Sequence, residues 1–205
     1  MSFSKRLPIF TIPIHLTMKK IFTILLITLT LGLHAQALKL KAGSVLKYKI
    51  TNGAESYNLA ITIKSWDADR SIYYEVSAPK AATGNIVLSQ ACLDNATGLN
   101  NDFAGGSISL STESCVWISK AVYNSLKRDF QARLSSKGQA FTLLNNYEDE
   151  YKITLDGKPT ALNIIYAEEQ SGKPYKYWIL NEEANPLLIK LIDWGLIIEL
   201  QEITQ

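Results

Sequence analysis

Apolar and polar side chains alternate along most of the chain after residue 44. Alternation is typical of β-strands with one buried face, because successive side chains of a strand point to opposite sides. The longest run places an apolar residue at every second position from Tyr57 to Ile63. The pattern recurs at Leu46/Tyr48/Ile50, Ile72/Tyr74/Val76, Tyr151/Ile153/Leu155, Leu162/Ile164/Tyr166, Tyr175/Tyr177/Ile179 and Leu196/Ile198/Leu200. The chain is therefore predicted to be rich in β-structure.

Short polar segments connect these runs, at residues 51–55, 67–70, 156–159 and 170–174. They contain the glycine, proline, asparagine and aspartate residues that favour turns. Connections this short join antiparallel neighbours, because a parallel pair needs a crossover of about a dozen residues. The sheet is therefore predicted to be antiparallel.

One stretch, about 114–130, has a helical period instead, with apolar residues at Cys115, Ile118, Val122 and Leu126. Candidate N-caps are Ser111, Thr112 and Ser114. Lys127 and Arg128 complement the C-terminal end of the helix dipole. We expect one amphipathic helix, packed with its apolar face on the sheet.

Residues 93–113 are the least regular part of the chain after the leader. They predict a long loop with a short strand at Ser107 to Leu110, and such loops often form binding sites.

The fold class expected from all these patterns is mainly β, or β-rich α+β. It consists of a single antiparallel curved sheet, open as a half-barrel or closed as a barrel, of about eight to ten strands with one packed helix.

The first 37 residues have the three parts of an export signal. Met18-Lys19-Lys20 precedes an apolar run from Ile21 to Leu33, and small residues follow at Ala35 and Ala37. Cleavage is predicted after Ala37, or alternatively after Ala35, so that the mature protein begins at Leu38 or Gln36. An uncleaved anchor is the other interpretation, but a spanning helix needs roughly 20 apolar residues. Residues 38–205 are then a single exported domain, periplasmic or secreted.

Residues 1–17 precede an already complete signal and are predicted to result from an upstream start codon assigned in error; an extended n-region of the signal is the alternative. The leader 1–37 holds Lys5, Arg6, Lys19 and Lys20 and no acid. Removing these four cations from the formal net charge of +2 leaves −2. A nucleic-acid partner is therefore not expected. Because no cysteine lies near the cleavage site, neither is a lipid anchor, so we predict no stable membrane anchor after cleavage.

Both histidines, His15 and His34, lie in the leader. The mature domain therefore lacks the residue that most triads, general bases and zinc sites use. Ser44 and Lys47 match a serine-x-x-lysine pattern, but it opens a strand rather than a helix. Carboxylate clusters at 67–69, 148–150, 168–169 and 182–183 are interpreted as solvated turns or strand ends. We expect no catalytic residues, no metal, no cofactor and no enzymatic activity.

Cys92 and Cys115 are the only two cysteines. An oxidising compartment would permit a disulfide between them. The alternative is two separate buried thiols that behave as small apolar residues. The disulfide is the favoured interpretation.

Trp66, Tyr73 and Trp178 are out of phase with the apolar faces of their strands. They are candidates for an aromatic platform that binds a sugar or a lipid chain. The alternative is that they cover the far face of the sheet beneath a loop or helix.

The C-terminal part of the chain resembles a known family. The segments 177–181, 185–190 and 194–203, together with residues 117–120, are similar to the ending and helix start of a family of uncharacterised, exported, β-rich proteins from Bacteroidetes-type bacteria, a domain-of-unknown-function group. The resemblance implies an exported β-rich domain, and it implies no activity.

Three functions are considered, in order of preference. The first is a non-enzymatic periplasmic or secreted binding protein for a lipid or another apolar small molecule. The second is a structural or partner-binding component of the cell envelope without a small-molecule pocket. A histidine-free hydrolase is the third alternative.

Overall fold

The computed structural model describes residues 38–205, which form thirteen strands and two helices. The predicted leader, 1–37, lies outside the described residues. The strands are β1 (Val45–Asn52), β2 (Glu55–Trp66), β3 (Arg70–Val76), β4 (Ala82–Leu88), β5 (Gly98–Leu99), β6 (Gly106–Leu110), β7 (Glu113–Ser114), β8 (Gln131–Ser136), β9 (Gln139–Leu155), β10 (Lys158–Glu169), β11 (Tyr175–Leu180), β12 (Leu188–Asp193) and β13 (Leu196–Thr204). The helices are α1 (Gln90–Asn95) and α2 (Lys120–Arg128).

All thirteen strands belong to one sheet, in the order β6-β4-β3-β2-β1-β13-β12-β11-β10-β9-β8-β5-β7. Strand β13 also pairs with β9, so that β9 to β13 close into a ring. The prediction of a mainly β fold built on one large sheet, with few helices, is confirmed.

The sheet is not wholly antiparallel. Four strand pairs are parallel: β4 with β6, β5 with β7, β5 with β8, and β13 with β9. The β4–β6 pair is reached through a crossover that contains α1 and β5, which is the kind of connection a parallel pair requires. The short turns identified in the sequence do join antiparallel neighbours, as at β1–β2 and β9–β10.

One face of the central strands forms the main core. The alternating residues of β1, β2 and β3, from Leu46 to Val76, are buried on this face. In the distal part of β9 and β10 the opposite face is buried, with Ile153, Leu162 and Ile164 inside and Lys152 and Asn163 in solvent. The β9–β10 hairpin therefore curls over the other side of the sheet, where β9 meets β13.

Helix α2 begins six residues later than the sequence period predicts. Its N-cap is Ser119, whose Oγ accepts a hydrogen bond from the Val122 amide at 3.3 Å. Ser114 belongs to β7, and Val116 has a φ of 64°. A β-branched residue at positive φ cannot continue a helix. The part of the prediction that placed 114–119 in the helix was therefore wrong, although Val122 and Leu126 are buried as expected.

Three hairpins close with two-residue turns whose second residue is glycine: Lys137-Gly138, Asp156-Gly157 and Trp194-Gly195. Both residues of each turn have positive φ, which is the turn geometry that matches the twist of paired strands. The Lys137 and Trp194 turns place their strand ends, Ser136 and Asp193, at the same end of the sheet.

Candidate functional site

A cleft of about 660 Å³ opens where several strands end. Asn52 ends β1, Ser136 ends β8, Asp193 ends β12 and Leu196 begins β13, and all four line the cleft. The apolar lining residues are Ile50, Tyr57, Val76, Leu99, Phe103, Leu191, Leu196 and Ile198, with Ala81, Ala82 and Ala104 at the rim. The polar lining residues are Asn52, Lys80, Asn100, Asn101, Asp102, Glu113, Ser136, Lys137 and Asp193. The cleft thus has an apolar floor, a mostly polar rim, and two buried polar side chains, Ser136 and Asp193.

The floor continues into a narrow apolar extension. Asn101, Phe103, Leu191 and Ile198 line both spaces, and the extension adds Tyr48, Leu59, Val116 and Leu188. Five of these side chains belong to the core-facing side of β1, β2, β12 and β13: Tyr48, Leu59, Leu188, Leu191 and Ile198. An apolar group in the cleft would therefore contact the hydrophobic core directly.

One wall of the cleft is the loop between β5 and β6, residues 100–105. Phe103 packs edge-on against Tyr74 with a ring separation of 5.1 Å, and the Gly105 amide donates to the Tyr74 hydroxyl at 2.8 Å. Asn101 Oδ1 accepts a hydrogen bond from the Val116 amide at 3.1 Å. The loop that the sequence marked as a binding lip, 93–113, thus contributes residues 99–104 and Glu113 to the cleft, while its first residues form the end of α1.

The backbone beneath this loop is strained. The Trp117 amide donates to the Cys115 carbonyl at 2.6 Å, so Cys115 to Trp117 form a γ-turn with Val116 at its centre. A γ-turn whose central residue has positive φ is rare. Strained backbone persists only where surrounding contacts hold it, and such positions cluster at functional sites. Here the Val116 carbonyl also accepts from the Leu188 amide at 2.8 Å.

A buried carboxylate lies at the polar end of the cleft. Asp193 is only 4% exposed, and the Ser136 hydroxyl donates to its Oδ2 at 2.7 Å. Lys80 and Lys137 also line the cleft, but both are exposed to solvent. The least exposed of the acidic and basic side chains that line the cleft is therefore an acid, Asp193.

The three aromatic residues proposed as a platform do not come together. Trp66 packs edge-on against Trp117, with 6.0 Å between ring centroids. Tyr73 donates to Glu75 at 3.2 Å, and the Trp178 ring lies 4.9 Å from that of Tyr166. None of the three lines the cleft. A register shift between Ile63 and Ser65 places Trp66 against the buried Trp117, whereas Tyr73 and Trp178 alternate with buried neighbours on their strands. A platform formed by these residues stays a prediction.

Trp178 instead belongs to a row of side chains across the sheet. Register places Tyr147 beside Tyr166, Tyr166 beside Trp178, Trp178 beside Lys190, and Lys190 beside Glu199. Lys190 forms an ion pair with Glu199 at 3.1 Å and lies 5.4 Å from the Trp178 ring centroid. Tyr151 also donates to Glu199. The polar side chains Lys190, Glu199 and Tyr151 therefore pair with one another.

The predicted disulfide is absent: Cys92 and Cys115 are free, buried thiols. Cys92 lies in the first turn of α1, where its amide donates to the N-cap Ser89, while Cys115 enters the γ-turn at Val116. Each thiol is thus held by its own backbone element. Burial raises the pKa of both thiols, and the charge of Cys92 adds to the rise at Cys115. The alternative interpretation, two apolar thiols, describes this structure.

The remaining sequence candidates do not assemble into a catalytic site. Ser44 is buried and its Oγ accepts from the Lys41 amide, whereas Lys47 is exposed and pairs with Glu202 at 3.0 Å. The cluster 148–150 lies within β9 rather than in a turn, and Glu148 pairs with Lys127. Within residues 38–205, no group of three or more histidine, cysteine or acidic residues is placed to hold a metal ion.

Sequence reasoning placed Phe103 in a candidate binding loop, 93–113, but it did not identify Ser136 and Asp193 as cleft residues. The only local signals were the turns Lys137-Gly138 and Trp194-Gly195, which predict strand ends but not which ends meet.

Comparison with known proteins gives no relative. No family model matches the chain, and no curated protein or solved structure is significantly similar to it. The resemblance to the Bacteroidetes-type exported family therefore stays a prediction. In the part of the chain that the structure describes, neither helix has the length and apolar character needed to cross a bilayer.

Proposed function

We propose that residues 38–205 are a non-enzymatic binding protein that takes an apolar or amphipathic small molecule into the cleft, and that the protein acts outside the cytoplasm after removal of residues 1–37. The observation that carries the proposal is the cleft itself. Its volume of about 660 Å³ is in the range of small-molecule sites, and its floor is made of core side chains.

Two further observations support binding rather than chemistry. No histidine occurs after residue 37. The buried polar groups at the cleft are a serine and a carboxylate, Ser136 and Asp193, without a third group in contact that could act as a base or nucleophile partner among the described residues.

Matched substitutions on β4 test the cleft. Ala82 lines it, while the next residue, Thr83, points to the opposite side of the strand and is exposed. Ala82→Trp should fill the cleft and weaken binding of the neutral apolar dye Nile red by at least about tenfold. Thr83→Trp should bind the dye as the parent protein does.

The proposal is wrong if purified 38–205 shows no saturable site for the dye, or if the two variants bind it equally. Mass spectrometry of lipids that co-purify with the protein provides a second readout. A protein partner recovered by cross-linking, together with no bound small molecule, would support the envelope-component alternative instead.

Export has its own test. N-terminal sequencing of the protein from cells should find a start at Leu38 or Gln36. A membrane-bound product that begins at Met18 would contradict it.

A further inference from the structure

We infer that the cleft selects amphipathic molecules with a cationic head, an aliphatic primary amine being the simplest, and that Asp193 binds the ammonium group. This inference rests on the proposed function and specifies its ligand. It starts from the environment of the Asp193 carboxylate.

Asp193 is 4% exposed and lines the cleft. Among residues 38–205, its side chain accepts one hydrogen bond, from Ser136 to Oδ2, and no lysine or arginine nitrogen lies within ion-pair distance. Oδ1 has no partner there. Buried carboxylates are normally paired, because an uncompensated buried charge is strongly destabilising. An unpaired carboxylate that faces an open cleft is suited to a cation supplied by the ligand.

The cleft also contains lysines, which would favour an anion. Lys80 and Lys137 are exposed, however, so water and salt screen their charges. Near the protein interior an ion pair is about four times stronger than in bulk water at the same distance. Asp193 should therefore decide the sign of the bound head group, while the two lysines act at the rim.

The second feature is the position of Asp193 relative to the apolar floor. Leu191 precedes it by two residues on the same face of β12, and Leu191 lines both the cleft and its apolar extension. A ligand whose head reaches Asp193 can therefore lay an alkyl chain along Leu191 and Ile198 toward the extension. The ligand class is thus an alkyl chain with an ammonium end.

Three ligands of equal chain length test the inference: decylammonium, decanoate and 1-decanol, each used to displace Nile red. Decylammonium should displace the dye at a concentration at least about tenfold lower than decanoate. Asp193→Asn should abolish that preference and leave 1-decanol unchanged. Ser136→Ala, which frees Oδ2 from its partner, should change decylammonium binding by less than Asp193→Asn does.

Asp67→Asn is the control, because Asp67 is an exposed carboxylate that does not line the cleft, and it should keep the preference. Equal or tighter binding of decanoate would overturn the inference while the proposed function stands. An equal loss of affinity for all three ligands in Asp193→Asn would also overturn the inference. If the dye binds but no ligand displaces it, the inference fails; if the dye does not bind, the proposed function fails with it. Should Asp193→Asn not fold, the preference of the unmodified protein still decides.

Discussion

The guanidinium of Arg70 lies 3.9 Å from the centroid of the Trp66 ring and 5.2 Å from that of Trp117. Arg70 is 8% exposed, and its Nη2 donates to the Ala184 carbonyl at 3.3 Å. No carboxylate within the described residues forms an ion pair with it. Burial lowers the pKa of Arg70 to about 10. The buried guanidinium thus contacts two indole rings and one carbonyl oxygen.

This arrangement predicts that Arg70→Met is tolerated better than Arg70→Lys. Methionine retains contact with both rings and removes a desolvated charge, so it should change the free energy of unfolding by less than about 1 kcal/mol. Lysine keeps the charge but loses the planar stacking and is more strongly hydrated, so it should destabilise by about 1–2 kcal/mol. Urea unfolding of both variants measures the difference. A methionine variant less stable than the lysine variant would mean that the charge itself is needed.

Helix α2 should contribute to stability through its buried face. Leu126 is fully buried, so Leu126→Ala should cost about 2–5 kcal/mol, and Val122→Ala less, about 1–2 kcal/mol. Asn124 is exposed on the same helix, and Asn124→Ala should stay within about 0.5 kcal/mol of the parent. Chemical denaturation compares the three variants. Equal stability of Leu126→Ala and Asn124→Ala would show that the helix is not packed as described.

The thiols should react only when the protein unfolds. Cys92 and Cys115 are both fully buried, and burial raises the pKa of each, so little reactive thiolate is present at pH 8. A maleimide should label two cysteines per chain in denaturant without reductant and almost none in the native protein. If the unfolded protein is labelled only after reduction, the two cysteines form a disulfide after all.

The sequence predicted the strands well because their burial is a local pattern: from Tyr57 to Ile63 each inward position is apolar. It failed at residues 114–119 because Cys115 and Ile118 have helical spacing by coincidence, while the backbone between them turns at Val116. Nothing in the identity of a valine predicts positive φ. That geometry is imposed by Asn101 and Leu188, which are distant in sequence.

The cleft was beyond sequence reasoning for a related reason. Its floor and polar end join Ile50, Phe103, Ser136 and Asp193, which come from four separate strands and loops. Alternation predicts which residues of a strand share a face, but the order of strands in the sheet decides which faces meet.

The β4–β6 contact depends on a glycine. A Cβ at Gly84 would lie 2.0 Å from the Gly106 carbonyl oxygen and 2.6 Å from the Tyr74 hydroxyl. Gly84→Ala should therefore displace β6 and the neighbouring cleft wall and destabilise the protein by about 1–3 kcal/mol. Thr83→Ala, an exposed neighbour, is the control. Urea unfolding and limited proteolysis within 100–105 should both respond to Gly84→Ala. Unchanged cleavage would argue against the close pairing.

Stability should fall at alkaline pH because of buried tyrosines. Burial raises the pKa of Tyr48 and Tyr177, and at Tyr177 the negative charge of Asp193 adds to the rise. Below about pH 10 both phenols are protonated in the folded and unfolded states. Above it the unfolded chain loses protons that the folded state keeps, so each group should remove about 1.4 kcal/mol of stability per pH unit. Urea unfolding from pH 8 to 11.5 should show this decline, with a smaller slope in Tyr177→Phe. Identical slopes would contradict it.

Strand β13 is the last part of the described chain to be synthesised, yet it lies between β1 and β12 and also contacts β9. Until residues 196–204 have left the ribosome, β1 to β4 cannot join the rest of the sheet, and the ring from β9 to β13 cannot close. The complete sheet can therefore form only once residues 196–204 are available to pair. Loss of the nine residues of β13 would divide the sheet into two parts, each with an exposed edge open to aggregation.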